Sequence, residues 1–232
     1  MKIAMWSGPR NLSTAMMYSF AARDDCAVMD EPFYAAYLAA SGADHPMADE
    51  IIATHETDPQ QVVADMERVA AMRPNTYMKH MPHHMLPGFP LEWARDCVNV
   101  HLIRHPARVI ASYIAKRERP NLEDIGFVRQ VEIYEEFGGL VIDGTDVRAD
   151  PGRMMALLCE EIGLDFQPSM LHWPAGPRPE DGVWAKHWYG AVHRSTGFAG
   201  AEGDLPKLEP EMTDLCAQAM PFYNRLAAQK LV

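Results

Sequence analysis

The run Lys2-Ile3-Ala4-Met5-Trp6 has strand length, and Ser7-Gly8-Pro9-Arg10 turns it at once into an apolar-rich segment, Asn11 to Arg23, with helical spacing at Leu12, Ala15, Met16 and Phe20. A strand that feeds a helix so directly must lay that helix back on its own sheet, which commits the chain to crossover connections between parallel strands. The rest of the sequence repeats the alternation. Ala27 to Met29 reads as a short strand before Asp30-Glu31-Pro32. Asp58-Pro59, an N-cap acid followed by proline, starts a helix to about Met72. Thr76 to His80 reads as a strand, and Cys97 to Ile103 (CVNVHLI) is a β-branched run of the kind buried in parallel sheets. Pro106 opens a helix to about Arg119, and Leu140 to Ile142 is a short strand. Asp150-Pro151 starts a helix to about Ile162, with Gly163 as C-cap, and Pro210 starts a last helix with a bend expected at Pro221. The expected fold class is α/β: a mostly parallel central sheet with helices on both faces, a three-layer sandwich in one domain over 1–232. Residues 172–206, rich in Gly, Pro and Trp, lack periodicity and are expected to form a lid or acceptor-binding segment within it.

The formal net charge of −11 over 232 residues disfavours nucleic acid and anionic membrane as partners. Any anion site must then be a local basic pocket. Hydrophobic residues make up 48% of the chain, enough for a packed core. The four cysteines are far apart and form no CxxC pair, the N-terminus lacks a signal-peptide pattern, and no 18-residue apolar run occurs. A cytoplasmic protein with reduced thiols is expected. No heptad or broad apolar stripe points to a partner chain.

A helix N-terminus entered through a tight loop attracts anions, because its first N–H groups lack partners and its dipole is positive there. Counted from Gly8, the phosphate-loop frame ends in Ser13-Thr14-Ala15, so it lacks both the lysine for the outer phosphates and the hydroxyl for magnesium. The buried strand ends in Leu102-Ile103-Arg104-His105-Pro106, with an arginine where a magnesium ligand would stand. Both departures favour gripping of an anion by cations and amides, without metal. Arg10 adds a forked cation, and Ser13 and Thr14 add hydroxyl donors.

Gly8-Pro9-Arg10-…-Ser13-Thr14 resembles the 5′-phosphosulfate loop of sulfotransferases that use 3′-phosphoadenosine-5′-phosphosulfate (PAPS), which in bacterial members commonly reads Gly-x-Pro-Arg-Ser-Gly-Thr-Thr. Arg104 to Tyr113 (RHPARVIASY) resembles the family's 3′-phosphate motif, an arginine and a serine eight residues apart. Asp150-Pro151 through Leu164 resembles its DP…LC…LGL helix, and Asp30-Glu31-Pro32 the Glu-Pro turn of bacterial members. The ordered set spans about residues 3 to 166. The resemblance implies the P-loop nucleotide-hydrolase-like fold and PAPS as donor. It implies that Arg10, Asn11, Leu12, Ser13 and Thr14 hold the phosphosulfate, that Arg104 and Ser112 hold the 3′-phosphate, and that no metal takes part. Asn11-Leu12 departs from the family's Ser-Gly pair, and Arg10 from the lysine of animal cytosolic members.

Transfer to an alcohol or amine needs a base. His80-Met81-Pro82 resembles the family's His-x-Pro segment and makes His80 the expected catalytic base beside Arg10, with Glu31 as the alternative. Lys79 stands one position from the family lysine and faces opposite to His80 if the strand is regular. A metal set of His80, His83 and His84 is disfavoured by Pro82 and the lack of a nearby acid; His83 and His84 read as surface or pocket-rim residues, and His101 and His105 as structural. Phe33, Tyr34 and Tyr37, with Trp173, Trp184, Trp188 and Tyr189, are aromatic candidates for core or for a pocket around a small, partly apolar acceptor. Lys186 is the nearest match to the family's late basic loop. The competing functions are a P-loop kinase for a small metabolite and a nucleotide-binding module without chemistry.

Overall fold

The computed structural model describes residues 1–115 and 119–232. Its centre is a sheet of five parallel strands, β1 (Lys2–Ser7), β2 (Cys26–Asp30), β3 (Asn75–His80), β4 (Val98–Ile103) and β5 (Leu140–Asp143), in the order β2-β3-β1-β4-β5. The helices are α1 (Ser13–Ala21), α2 (Tyr34–Ser41), α3 (Ala48–Thr54), α4 (Pro59–Ala70), α5 (Pro106–Ile114), α6 (Phe127–Phe137), α7 (Gly144–Ala149), α8 (Pro151–Ile162), α9 (Ala185–Trp188) and α10 (Pro210–Ala227). The α/β class expected from the alternation is the one observed.

The period-2 alternation of each strand sorts its side chains to two cores. Ile3, Met5, Tyr77, Val100 and Leu102 pack with α1 and α8 on one face. Ala4, Trp6 and Met78 pack with Phe33, Val62, Met66, Trp93 and Ile133 on the other. Both faces are covered, as an all-parallel sheet requires. Local signals set the helix starts: the Asp58 side chain accepts from the Gln60 N–H and Asp150 from that of Arg153, each cap worth about 1 kcal/mol, and His105 Nδ1 accepts from that of Ala107. Gly163, at φ 75°, ends α8.

Several expected boundaries shift. The first helix begins at Ser13 rather than Asn11, because Arg10 and Leu12 take positive φ and hold the loop out of helical geometry. The helix from Pro106 runs to Ile114; its expected continuation toward Arg119 crosses residues 116–118, outside the described residues. Helices α2, α3 and α6 start without a side-chain cap, and α7 follows β5 directly through the Asp143 cap; none of the four was expected from the sequence. The last helix continues through Pro221. Among the described residues no helix is long and apolar enough to cross a membrane.

The chain order places the site. From β1 the chain moves to β2 and β3 on one side, then crosses to β4 and β5 on the other. In such sheets the crevice opens beyond the strand ends where the order reverses. The loops following β1 and β4 therefore face each other across one cleft.

Candidate active site

That cleft holds about 280 Å³ and is lined at one end by Pro9, Arg10, Leu12, Ser13, Thr14, Arg104 and Ser112. Gly8 is needed at its position for packing: a Cβ there would lie 2.4 Å from the Ile125 carbonyl oxygen. Leu12 sits at φ 80°, ψ 5°, the left-handed conformation that glycine adopts freely and that costs a leucine about 1–2 kcal/mol. It caps α1 without a side-chain hydrogen bond, so the first turn presents its N–H groups to the cleft. The loop thus holds a leucine in a conformation that glycine adopts freely.

Two guanidinium groups share this end. Arg10 Nε donates to Ser112 Oγ at 3.1 Å, and Arg104 Nη1 donates to the Arg10 carbonyl oxygen at 2.8 Å. Burial, reinforced by Arg104 beside it, pushes the Arg10 guanidinium down from its ordinary value. Like charges held together at a helix N-terminus are relieved by an anion. Ser13 and Thr14 line the same space. The Asn11 side chain does not: it is fully buried, and its Nδ2 donates to the Leu102 carbonyl at 3.3 Å, tying the loop to β4. The side chain thus ties the loop to β4 rather than lining the donor end, where the sequence had placed Asn11.

The other end is lined by Glu31, Tyr34, His45, Lys79, Met81, His83, His84, Trp188 and Tyr189. Lys79, on β3, is fully buried beneath it. Its ammonium donates to Glu31 Oε1 at 2.7 Å, to Asp30 Oδ1 at 2.8 Å and to the Tyr189 hydroxyl. Tyr189 in turn donates to Asp30 and accepts from Trp184 Nε1. Burial raises the Glu31 carboxyl above its ordinary value despite the attraction of Lys79. Burial alone would lower Lys79, but Asp30 and Glu31 outweigh it and hold the lysine charged. Glu31 stands at φ 45°, which aims its carboxylate along the cleft wall instead of continuing β2.

His80 is corrected. It is 1% exposed, does not line the cleft, and stacks on Trp6 and against Trp93 and Phe33 in the opposite core. Alternation along β3 sends Lys79 to the cleft and His80 away from it. Burial pushes His80 down to about 3, which leaves it neutral. His84, read from sequence as a surface or rim residue, is buried in the cleft wall between Tyr34 and Tyr37, at ring distances of 4.6 and 4.8 Å. Lys186 is exposed and pairs with Glu50, so it takes no part in the cleft. His101 bonds the Gly138 carbonyl, and His105 caps α5. Trp188, Tyr189, Val192, Ser195, Gly197 and Ala199 bring the irregular 172–206 stretch into the cleft wall. Asp30 and Tyr189 were not assigned to the site from sequence, although Asp30 opens the Asp30-Glu31-Pro32 turn and Tyr189 lies among the aromatic candidates.

Three histidines are neutral through burial: His80 (about 3), His101 (about 4, with the Gly138 carbonyl opposing the shift) and His84 (well below its ordinary value). In the unfolded chain they bind protons near pH 6.5, so between that value and the folded values the unfolded state binds more protons. Their contribution is complete above about pH 6.5 and is lost as pH falls toward 4. The melting temperature is therefore expected to fall steadily over that window in a calorimetric pH series, and less steeply in His80→Phe. A flat series would show that these imidazoles are not held neutral.

A model of the sulfotransferase domain family matches residues 1–230. Two Arabidopsis thaliana proteins, branched-chain-amino-acid aminotransferase-like proteins 2 and 1, are 38% and 39% identical over 230 residues, 97% of this chain. The chain spans 41% of the length of each. Among solved structures, the sulfotransferase domain from the curacin biosynthetic pathway aligns with a TM-score of 0.59 at 17% identity, over 94% of this chain and 96% of that one. The mouse sulfotransferase SULT7A1 complexed with PAP aligns with a TM-score of 0.59 at 14% identity, over 97% and 84%. At such identities the solved structures establish a shared fold.

Proposed function

We propose, from the premise that this chain belongs to the sulfotransferase domain family, that it moves a sulfuryl group from PAPS to the hydroxyl or amine of a small acceptor. The observation that carries the reading is the convergence of Arg10, Arg104 and the first turn of α1 on one end of a cleft whose other end holds Glu31. The donor's phosphosulfate would meet the loop amides, Ser13, Thr14 and Arg10. Arg10 would stabilise charge on the leaving phosphate; as an always-charged group it serves as an electrostatic donor rather than a proton source. The 3′-phosphate would meet Arg104. Cations take the place that a magnesium ion and its carboxylate hold in nucleotide triphosphatases, which disfavours the kinase alternative.

With His80 turned into the core, Glu31 is the base in this reading. It lines the cleft, and its raised pKa brings a carboxylate nearer the range in which a base works at neutral pH. The Lys79 ammonium holds Glu31 Oε1 at 2.7 Å and fixes its direction. The acceptor would lie among Tyr34, His84, Trp188 and Tyr189, which suits a small, partly apolar molecule carrying a nucleophilic hydroxyl or amine. On this reading Trp188 and Tyr189 let the 172–206 stretch contribute to the acceptor-side wall within a single domain.

The test is a thermal-shift comparison. At about a hundredfold excess over Kd, 3′,5′-adenosine bisphosphate is expected to raise the melting temperature by about 5–10 °C, and ATP with magnesium much less. Equal shifts from the two ligands would overturn the assignment of the cleft to PAPS.

A further inference from the structure

Beside the cleft, three arginines converge on a carboxylate of the chain itself. Glu202 Oε1 accepts from Arg104 Nη2 and from Arg148 Nη1 at 2.6 Å. Its Oε2 meets Arg108 Nε at 3.0 Å and accepts from Thr145 Oγ1 at 3.1 Å. The Glu202 side chain is 2% exposed, so both oxygens are shut from water by these donors. Burial alone would raise its carboxyl, but the arginines win and hold it below the usual carboxylate range.

The donors and the acceptor differ in how they are anchored. Arg104 follows β4, Arg108 lies in the first turn of α5, and Thr145 and Arg148 lie on α7. Glu202 belongs to an irregular stretch whose neighbours Gly203, Asp204 and Leu205 are exposed. Gly200 and Gly203 flank it with open space around their Cβ directions. Backbone bonds from Arg148 Nε to the Gly200 carbonyl and from Arg108 to the Gly203 and Asp204 carbonyls hold the stretch over the arginines. The nearby acids of α7 and its cap are engaged elsewhere: Asp143 accepts from the Thr145 N–H and the Tyr223 hydroxyl, and Asp146 pairs with Lys230. Among the described residues, three guanidinium charges thus face one carboxylate charge. A phosphomonoester, with about two charges at neutral pH and three strong acceptor oxygens, matches this donor set better than a carboxylate does.

We propose that Arg104, Arg108, Arg148 and Thr145 form one phosphomonoester site whose resident anion is Glu202, and that the 3′-phosphate of the nucleotide enters by displacing it. The identity of the ligand rests on the PAPS reading above; the site and its internal competitor rest on the geometry alone. Because Glu202 already occupies the arginines, the competent form is only a fraction of the free protein, and apparent affinity is reduced by that fraction. A nucleotide without the 3′-phosphate has no need to evict Glu202 and escapes this penalty.

The experiment is calorimetric titration of the wild-type chain and Glu202→Gln with 3′,5′-adenosine bisphosphate, adenosine 5′-monophosphate and inorganic phosphate. The variant is expected to bind the bisphosphate about tenfold or more tightly, with the monophosphate nearly unchanged and the gain removed by adding Arg148→Ala. Equal bisphosphate affinity in both proteins overturns the proposal and leaves the PAPS reading standing, as does an equal gain for the monophosphate. If the bisphosphate binds neither protein while inorganic phosphate binds the variant better, the site stands and the nucleotide assignment falls. Failure of all three ligands to bind either protein overturns both. Should Glu202→Gln not fold, hydrogen exchange on the wild type decides: residues 199–205 are expected to lose protection with saturating bisphosphate, and unchanged protection overturns the proposal.

Discussion

Glu31→Gln is expected to lower turnover by about 10²–10⁴-fold while leaving the affinity for 3′,5′-adenosine bisphosphate nearly unchanged. The amide keeps the size and the hydrogen-bonding reach of the carboxylate but cannot take a proton. On the proposed reaction, turnover is read as sulfuryl transfer from PAPS across a panel of small alcohols, phenols and amines. The pH profile separates a base from a structural residue. Burial raises Glu31 above its ordinary 4.5, so wild-type turnover should fall as pH drops through that raised value, and the limb should be missing in Glu31→Gln. His80→Phe is the matched control: it replaces a buried, neutral ring among Trp6, Phe33 and Trp93 with another ring and should keep most of the rate. A surviving acid limb in Glu31→Gln, or a collapse of turnover in His80→Phe with the fold intact, would return the base to the opposite face of β3.

Lys79→Met carries the largest expected cost in stability. The ammonium touches Asp30, Glu31 and the Tyr189 hydroxyl, and the lysine side chain is 1% exposed. Removing it leaves two adjacent buried carboxylates without a cation. Breaking a buried pair in this way costs about 3–5 kcal/mol, a fall of about 6–20 °C in melting temperature for a domain of this size. The sign with pH follows from the same charges. Orphaned carboxylates in the variant take up protons more readily than paired ones, so its deficit is greatest at neutral pH and narrows as pH falls. A variant as stable as the wild type at pH 7 would show that the network is hydrated or already protonated.

Much of the fold was legible because it is written in local chemistry. The Asp58-Pro59 and Asp150-Pro151 starts, the Gly163 stop and the β-branched run before Arg104 each act within a few residues. Helices α2 and α6 were less legible, since Phe33 and Gly126 begin them without a side-chain cap, and α7 because its Asp143 cap is also the last residue of β5. Within the cleft, Arg10, Ser13, Thr14, Arg104 and Ser112 follow the ends of β1 and β4, and strand order brings such ends together. The expectation that His80 lines the cleft failed for a definite reason. On a strand covered on both faces, every position of NTYMKH is buried, so alternation separates Lys79 from His80 without saying which of them meets the cleft.

What the sequence determined by itself, then, is the alternation of the five strands with the helices α1, α4, α5, α8 and α10, and the two basic loops that follow β1 and β4, because caps, prolines and apolar periodicity act over short stretches of chain. Which side of β3 opens to the cleft, the capture of Lys79 by Asp30, Glu31 and Tyr189, and the seat of Glu202 among Arg104, Arg108 and Arg148 were decided only by tertiary structure. Those contacts join residues 48 to 110 positions apart around Lys79 and 54 to 98 apart at Arg148 and Arg104. No local pattern encodes them; they exist because packing both faces of one sheet leaves buried charges nowhere to go except to each other.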